Sequence, residues 1–416
     1  MANRRSITKF EYENLEIGDS LSEGTFDVRH FELLKKFHGD RDGFNFYSLP
    51  HRGIKFAQYV GIVCVGDLQI EILPKADKHT EEGKQTWRER LLEMLRVVYK
   101  LKIHSMSNAN QYLSPNKILD VFLSRFLDEV ERILHVGLVK TYRKVQENTT
   151  ALKGKLVISK HITKNLIHRE RFFVEHNVYD HNHICNVILY KTLRTILDIT
   201  RNSAILSRTH SLMFLFPELN DIKVDENTFN KIRFERRTEE YRSAIQIAKL
   251  ILLGYMPSAN KSRQDNILAL MFDMNKLWEE YVYRILKRSL YCKDPKYDVY
   301  DQKIKTFWNG EEGGKTIRPD ITVSYDGKCL AVLDTKWKCP KDNKPSDADL
   351  KQMYVYHLFW DTNKTALLYP GNKAIIKGAF DTTNRIKDKL DCHMIFMQFK
   401  GNALDIESLV KYIENS

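Results

Sequence analysis

Asp320, Asp334 and Lys336 stand among apolar strand residues in IRPDITVSYDGKCLAVLDTKWK, residues 317–338. Asp320 follows a proline, and Asp334 and Lys336 form an Asp-x-Lys further along. Asp326-Gly327 supplies a turn and CLAVLDTKW reads as a strand, so the stretch is expected to be a β-hairpin. Successive strand side chains point to opposite faces, which puts Asp334 and Lys336 on the same face. A strict two-residue turn would set Asp320 against Leu333 and aim it away from Asp334. A one-residue offset, from a bulge or a three-residue loop, brings Asp320 opposite Asp334, and that offset is expected here.

Two carboxylates converging on one sheet face repel each other unless a cation lies between them or one is protonated. Hard oxygen ligands suit Mg²⁺ or Mn²⁺. A lysine beside them can position a water or help deprotonate it, while the cation stabilises charge on a phosphoryl oxygen. The chemistry suggested is metal-assisted phosphodiester hydrolysis. The competing reading is a hairpin with surface acids, because Pro-Asp and Asp-x-Lys pairs also arise by chance.

Two flanking segments add candidates. In the helical stretch NILALMFDMNKLWEEYVYRILKRSL, residues 266–290, an apolar face forms from Met271, Met274, Trp278, Tyr281, Val282 and Ile285. Glu279 lies at the flank of that face and can reach a buried edge, whereas Glu280 falls with Lys276 and Arg284 on the solvated side. After the hairpin, Ser346 and Asp349 resemble a capping box opening SDADLKQMYVYHLFW. Gln352 and Tyr356, four apart on one helical face, could contact a phosphate or steady the lysine. Read alone, they are residues at a packing boundary.

Two other motifs fail on spacing. GEEGGKT, residues 310–316, is one residue short of a P-loop and precedes a strand where a helix is required. His176, His181, His183 and Cys185 in EHNVYDHNHIC could suit zinc, but no second ligand pair has matching spacing and the segment runs into an apolar helix.

These elements belong to a chain of 416 residues with 43% hydrophobic and 29% charged content, an ordinary globular composition. A formal charge of +12 favours a polyanionic partner. The amino terminus, MANRRSITKF, has no apolar core of a signal peptide, and AIQIAKLILLGYM is too short to span a bilayer. Six cysteines without a C-x-x-C read as reduced thiols of a cytoplasmic protein. Residues 1–84 are expected to be β-rich, with a hairpin turning at Gly66-Asp67 that sends Ile70 and Ile72 to one side and Gln69 and Glu71 to the other. Residues 85–257 are expected to be mainly helical, with Gly154 interrupting strand-like residues. PSANKSRQDN is the candidate linker. Residues 262–416 then run helix, strand YDVYDQKIKTFW, hairpin, helix and strand, a mixed sheet flanked by helices within an α+β chain.

With these residues in place, the chain resembles the McrC family, the nuclease subunits of McrBC-type modification-dependent restriction systems. Asp320 in RPDI with Asp334 and Lys336 in LDTKWK matches the PD-(D/E)xK signature, joined by LWEEYV around Glu279 and the Q-x-x-x-Y of QMYVY. YVGIVCVGDLQIEILPK, GLVKTYRKVQENTTALKGKL and YRSAIQIAKLIL resemble family segments in the same order. The resemblance implies a PD-(D/E)xK endonuclease domain in which Asp320 and Asp334 bind Mg²⁺ or Mn²⁺, Lys336 is the catalytic lysine and Glu279 an accessory acid. It further implies a partner, an McrB-like AAA+ GTPase hexamer docked through the amino-terminal region, and modified double-stranded DNA as substrate. A subunit that mainly activates the motor, or a self-sufficient nuclease, is the alternative.

Overall fold

The computed structural model describes residues 5–39, 46–75, 83–100, 117–257, 266–310, 313–338, 340–381 and 390–414. Contacts divide the chain into two compact units, where the sequence suggested three regions. One unit joins Met1–Ile118 to Met271–Ser416, and the other is Leu119–Leu270. Residues 258–265 of the candidate linker lie outside the described residues.

In the first unit, β1 (Arg5–Phe10), β2 (Tyr59–Val65) and β3 (Leu68–Leu73) form the sheet anticipated around Gly66-Asp67. β2 and β3 pair antiparallel, and β1 joins β3 in parallel. Gln69 and Glu71, on the face opposite Ile70 and Ile72, are both buried. Helix α1 (Lys84–Tyr99) covers that face, and its Arg88 donates to Glu71 at 2.6 Å. A buried charge needs such a partner.

The second unit carries helices α2 (Lys117–Val136), α3 (Ile158–Asn165), α4 (Ile184–Ile199), α5 (Ser203–Phe214) and α6 (Arg242–Gly254). It also holds a sheet of β4 (Thr141–Thr149), β5 (Lys155–Leu156) and β6 (Phe172–Asp180), with β6 central and antiparallel to both. Gly154 (φ +72°) turns the chain into β5, and a Cβ there would fall 2.3 Å from the carbonyl oxygen of Glu175. The histidine-rich stretch is used locally: His183 Nδ1 accepts from the Cys185 amide at 3.2 Å and caps α4.

The helix expected from Asn266 begins later. Ile267–Asp273 is a strand, β7, and α7 spans Met274–Lys293. The residues Ile267–Phe272 are all buried, so the run has no helical stripe, and Asp273 caps α7 by accepting from the amides of Asn275 and Lys276. The single strand expected over YDVYDQKIKTFW is likewise two, β8 (Tyr297–Asp301) and β9 (Lys305–Gly310). Gln302 between them has φ +46° and its amide donates to Asp320 O at 3.0 Å, which turns the chain out of the sheet. β9 pairs instead with β10 (Gly313–Ile317) in a two-stranded ribbon.

The sheet that carries the hairpin is completed by β11 (Ile321–Tyr325), β12 (Lys328–Thr335), β13 (Lys364–Pro370), β14 (Ala379–Phe380) and β15 (Leu390–Met397), with helix α8 (Asp347–Trp360) between β12 and β13. The sheet order is β8-β11-β12-β13-β15-β14. β12, β13 and β15 run parallel, and the other neighbours are antiparallel. The crossover helix α8 lays Met353, Tyr356 and Trp360 on Val332, Leu367, Tyr369 and Met394. Burying each such large apolar side chain stabilises by about 1.5–3 kcal/mol. The result is the α+β chain anticipated, with a mixed sheet flanked by helices.

Candidate active site

Cross-strand register decides whether the acids meet. Ile321 pairs with Leu333, Thr322 with Val332 and Val323 with Ala331, but Ser324 pairs with Cys329. The shift leaves Leu330 as the extra residue, and its carbonyl accepts from Thr362 Oγ1 at 2.8 Å. Carried one step past Ile321, the shifted register sets Asp320 opposite Asp334, the arrangement that the hairpin required. Without the bulge, the residues beyond it would slip by one and Asp320 would stand opposite Leu333.

Asp334 lies in the middle of the sheet with 1% of its surface exposed. Its Oδ1 accepts from Gln352 Nε2 at 3.2 Å, and Lys336 Nζ stands 2.6 Å from Oδ2. Burial pushes the Asp334 carboxyl up to about 7, helped by the charge of Asp320 and opposed by Lys336. Asp320 Oδ2 accepts from the amide of Thr335 at 2.7 Å and from its hydroxyl at 2.8 Å. Burial works against the Lys336 ammonium, but Asp334, Asp349 and Asp320 together hold its pKa above the usual value.

Helix α8 supports this group. Gln352 Nε2 also donates to the Tyr356 hydroxyl at 2.7 Å, and that hydroxyl donates to Arg318 O at 3.1 Å. Both residues therefore lie at the site, Gln352 directly on Asp334 and Tyr356 through Gln352. Ser346 caps the helix by accepting from the Asp349 amide at 3.2 Å. The Asp349 carboxylate faces the lysines, 3.3 Å from Lys336 and 3.1 Å from Lys338. Asp349 was legible only as a cap; its part in holding Lys336 depends on how α8 crosses β12.

Glu279 is half-buried on α7 and accepts from Gln302 Nε2 at 2.6 Å. Burial, then the charge of Asp320, pushes its carboxyl up to about 7. It is near enough to feel both aspartates, yet among the described residues no three His, Cys, Asp or Glu side chains close on a common metal point. Of the three acids expected to hold a metal, the aspartates form a facing pair and Glu279 is tied to Gln302. Such a pair suits a hard cation that keeps waters in its remaining positions and takes phosphate oxygens from a substrate. Glu280 pairs with Arg284 at 2.6 Å on the other side of the helix.

A buried link that sequence reasoning missed lies just beyond the lysine. Trp337 Nε1 donates to Glu11 Oε1 at 2.7 Å, and the same oxygen accepts from the Lys75 amide at 2.8 Å. Burial pushes the Glu11 carboxyl up to about 7. Trp337 also packs on Trp278, with ring centroids 5.3 Å apart. No local pattern connects residues this far apart in the chain.

GGKTI, the end of the P-loop-like motif, is strand β10. Among the described residues no helix is long and apolar enough to cross a membrane.

Comparisons with known proteins place the chain in a family. The model of the family described as McrBC 5-methylcytosine restriction system component matches residues 54–370. The chain is 21% identical over 247 residues to the type IV methyl-directed restriction enzyme EcoKMcrBC of Escherichia coli K12, covering 56% of this chain and 69% of that protein. Its fold is similar to a chain in the half-complex of Thermococcus gammatolerans McrB AAA+ hexamers with bound McrC, with a TM-score of 0.61, 21% identity and 98% of both chains covered. The bulged Asp320–Asp334 hairpin sits within the matched span, and the chain belongs to the family of McrBC 5-methylcytosine restriction system components.

Proposed function

We propose that this chain is the metal-dependent DNA endonuclease subunit of a McrBC-like restriction complex. The observation that carries the reading is the register shift in the hairpin, which sets Asp320 opposite Asp334 with Lys336 and Gln352 on the latter. A β-hairpin of structural purpose alone has no need to bury an aspartate beside a second one, at a cost in desolvation and repulsion.

Asp320 and Asp334 would hold Mg²⁺ or Mn²⁺, which would supply Lewis-acid stabilisation of charge on a phosphoryl oxygen. Thr335 fixes the orientation of Asp320, and Gln352 that of Asp334. Lys336, kept cationic by three aspartates, orients a water towards phosphorus and neutralises charge as the bond to the leaving oxygen breaks. Glu279, with a pKa raised to about 7, is suited to proton transfer at neutral pH.

In this reading an McrB-like AAA+ hexamer hydrolyses GTP and moves DNA, while this chain stimulates it and cuts modified duplex DNA in the cytoplasm; the likeness to a chain from McrB AAA+ hexamers with bound McrC supports the partnership. The test is cleavage of methylated duplex DNA by the assembled complex with GTP and Mg²⁺. Asp334→Ala is expected to lower cleavage by roughly a hundredfold or more with partner binding retained. Undiminished cleavage would refute the site. The lysine bridging Asp334 and Asp349 favours a second reading, in which the nuclease rests closed and the chain mainly activates the motor. Stimulated GTP hydrolysis with no DNA cut under any divalent cation would select that alternative.

A further inference from the structure

A groove of about 680 Å³ lies between the β9–β10 ribbon and α8, beside the aspartate pair. Gln352 and Tyr356 form one wall, and Ile304, Phe307 and Arg318 stand across from them. Gln352 also holds Asp334, so the groove opens onto the centre described above. The ribbon is fixed in place by its own sequence. The β9–β10 register slips between Thr306 and Trp308, and Phe307 reaches Phe359 of α8 with ring centroids 5.6 Å apart. Lys305 donates to the Phe359 carbonyl and lies 5.0 Å over the Trp360 ring.

Two properties of this surface go together. Ile304 and Phe307 are 61% and 48% exposed, an apolar wall left open beside a polar centre. Arg318 and Lys351 are exposed at the rim, and no acid among the described residues pairs with either. By contrast, Lys336 and Lys338 both lie on Asp349. A nucleic-acid strand alternates anionic phosphates with apolar sugar and base faces, and a groove that sets bare cations beside an aromatic ring matches that alternation. An acidic peptide would use the cations but leave Phe307 and Ile304 bare.

Resting on the nuclease reading, we propose that this groove seats the DNA strand to be cut, with phosphates on Arg318 and Lys351 and a sugar–base face against Phe307 and Ile304. The cations offset the repulsion that Asp320, Asp334 and Glu279 exert on an approaching phosphodiester. The Arg318 main chain accepts the Tyr356 hydroxyl, so removing the Arg318 side chain leaves that hydrogen bond intact.

The experiment measures binding of a fluorescein-labelled duplex to the full chain by anisotropy over a range of salt. A poly-glutamate peptide serves as the acidic control, and cleavage by the assembled complex is measured in parallel. Combining Arg318→Gln with Lys351→Gln is expected to weaken duplex binding about tenfold or more and to lower the slope of log affinity against log salt by roughly two. Phe307→Ala is expected to weaken binding several-fold with the slope unchanged, which separates the apolar wall from the charges. Unchanged affinity and slope in the charge variants, or a groove that takes poly-glutamate as tightly as DNA, would overturn the proposal. If the wild type cuts DNA and the groove variants bind and cut equally well, the groove falls and the nuclease reading stands. If the groove variants lose DNA while the wild type cuts nothing, the groove stands and the nuclease reading falls.

Discussion

Replacing Asp334 by Asn should stabilise the metal-free protein above neutral pH while abolishing cleavage. Asp334 is 1% exposed and its carboxyl is raised from 3.8 to about 7. At about 1.36 kcal/mol per unit, holding it ionised costs up to about 4 kcal/mol relative to the unfolded chain. That figure already counts the attraction of Lys336, and the amide keeps the oxygen that accepts from Gln352 but turns a donor NH₂ towards the Lys336 ammonium, which retains Asp349 at 3.3 Å. The donor–donor contact takes back part of the gain and leaves a net stabilisation of roughly 1–2 kcal/mol. Because the folded carboxyl binds its proton more tightly than the unfolded one, the contribution of Asp334 to stability is complete below about pH 4 and lost as the pH rises through about 7. The assay is thermal unfolding with a chelator, at about pH 5.5 and about pH 8. The Asp334→Asn variant should melt a few degrees above wild type at the higher pH and lose most of that advantage at the lower. Added Mg²⁺ or Mn²⁺ should raise the wild type and leave the variant unmoved. A variant that melts below wild type at the higher pH would refute the reasoning, because the Lys336 ion pair would then outweigh burial and repulsion.

Trp337→Phe removes the donor that Glu11 Oε1 accepts at 2.7 Å and should cost about 1–3 kcal/mol in denaturant unfolding, more above neutral pH where Glu11 is ionised. Gln352→Ala frees Asp334 Oδ1 and should lower cleavage by about 10–100-fold, whereas Gln352→Glu adds a like charge beside Asp334 and should do at least as badly. Gly154→Ala should destabilise the second unit by more than about 1 kcal/mol, read as loss of its amide protection in hydrogen exchange, because its φ is +72° and the new Cβ meets Glu175 O.

The hairpin could be read from the sequence because its logic is local. Asp326-Gly327 turns the chain, strand alternation puts Asp334 with Lys336, and the need for Asp320 to join them calls for the bulge that Leu330 supplies. Gln352 and Tyr356 were legible for the same reason, since helical spacing alone puts them on one face. Periodicity misled where burial is two-sided: Ile267–Phe272 are buried throughout, so an apolar run that reads as helix is a strand. At Glu71 alternation fixed the face but not its burial, because the partner Arg88 comes from a helix laid over that face. Gln302 on Glu279, Asp349 on Lys336 and Glu11 on Trp337 were not legible at all. Each is a tertiary meeting set by how elements cross, and no spacing within a single element encodes it.

The claim on which the rest stands is that Asp320 and Asp334 together hold a divalent cation. Titration of the metal-free chain with Mn²⁺, followed by electron paramagnetic resonance, measures this without partner, DNA or turnover. The account predicts a bound-Mn²⁺ population in the wild type that Mg²⁺ displaces and that disappears in both Asp320→Ala and Asp334→Ala. Mn²⁺ bound as tightly to the two alanine variants as to the wild type would contradict it.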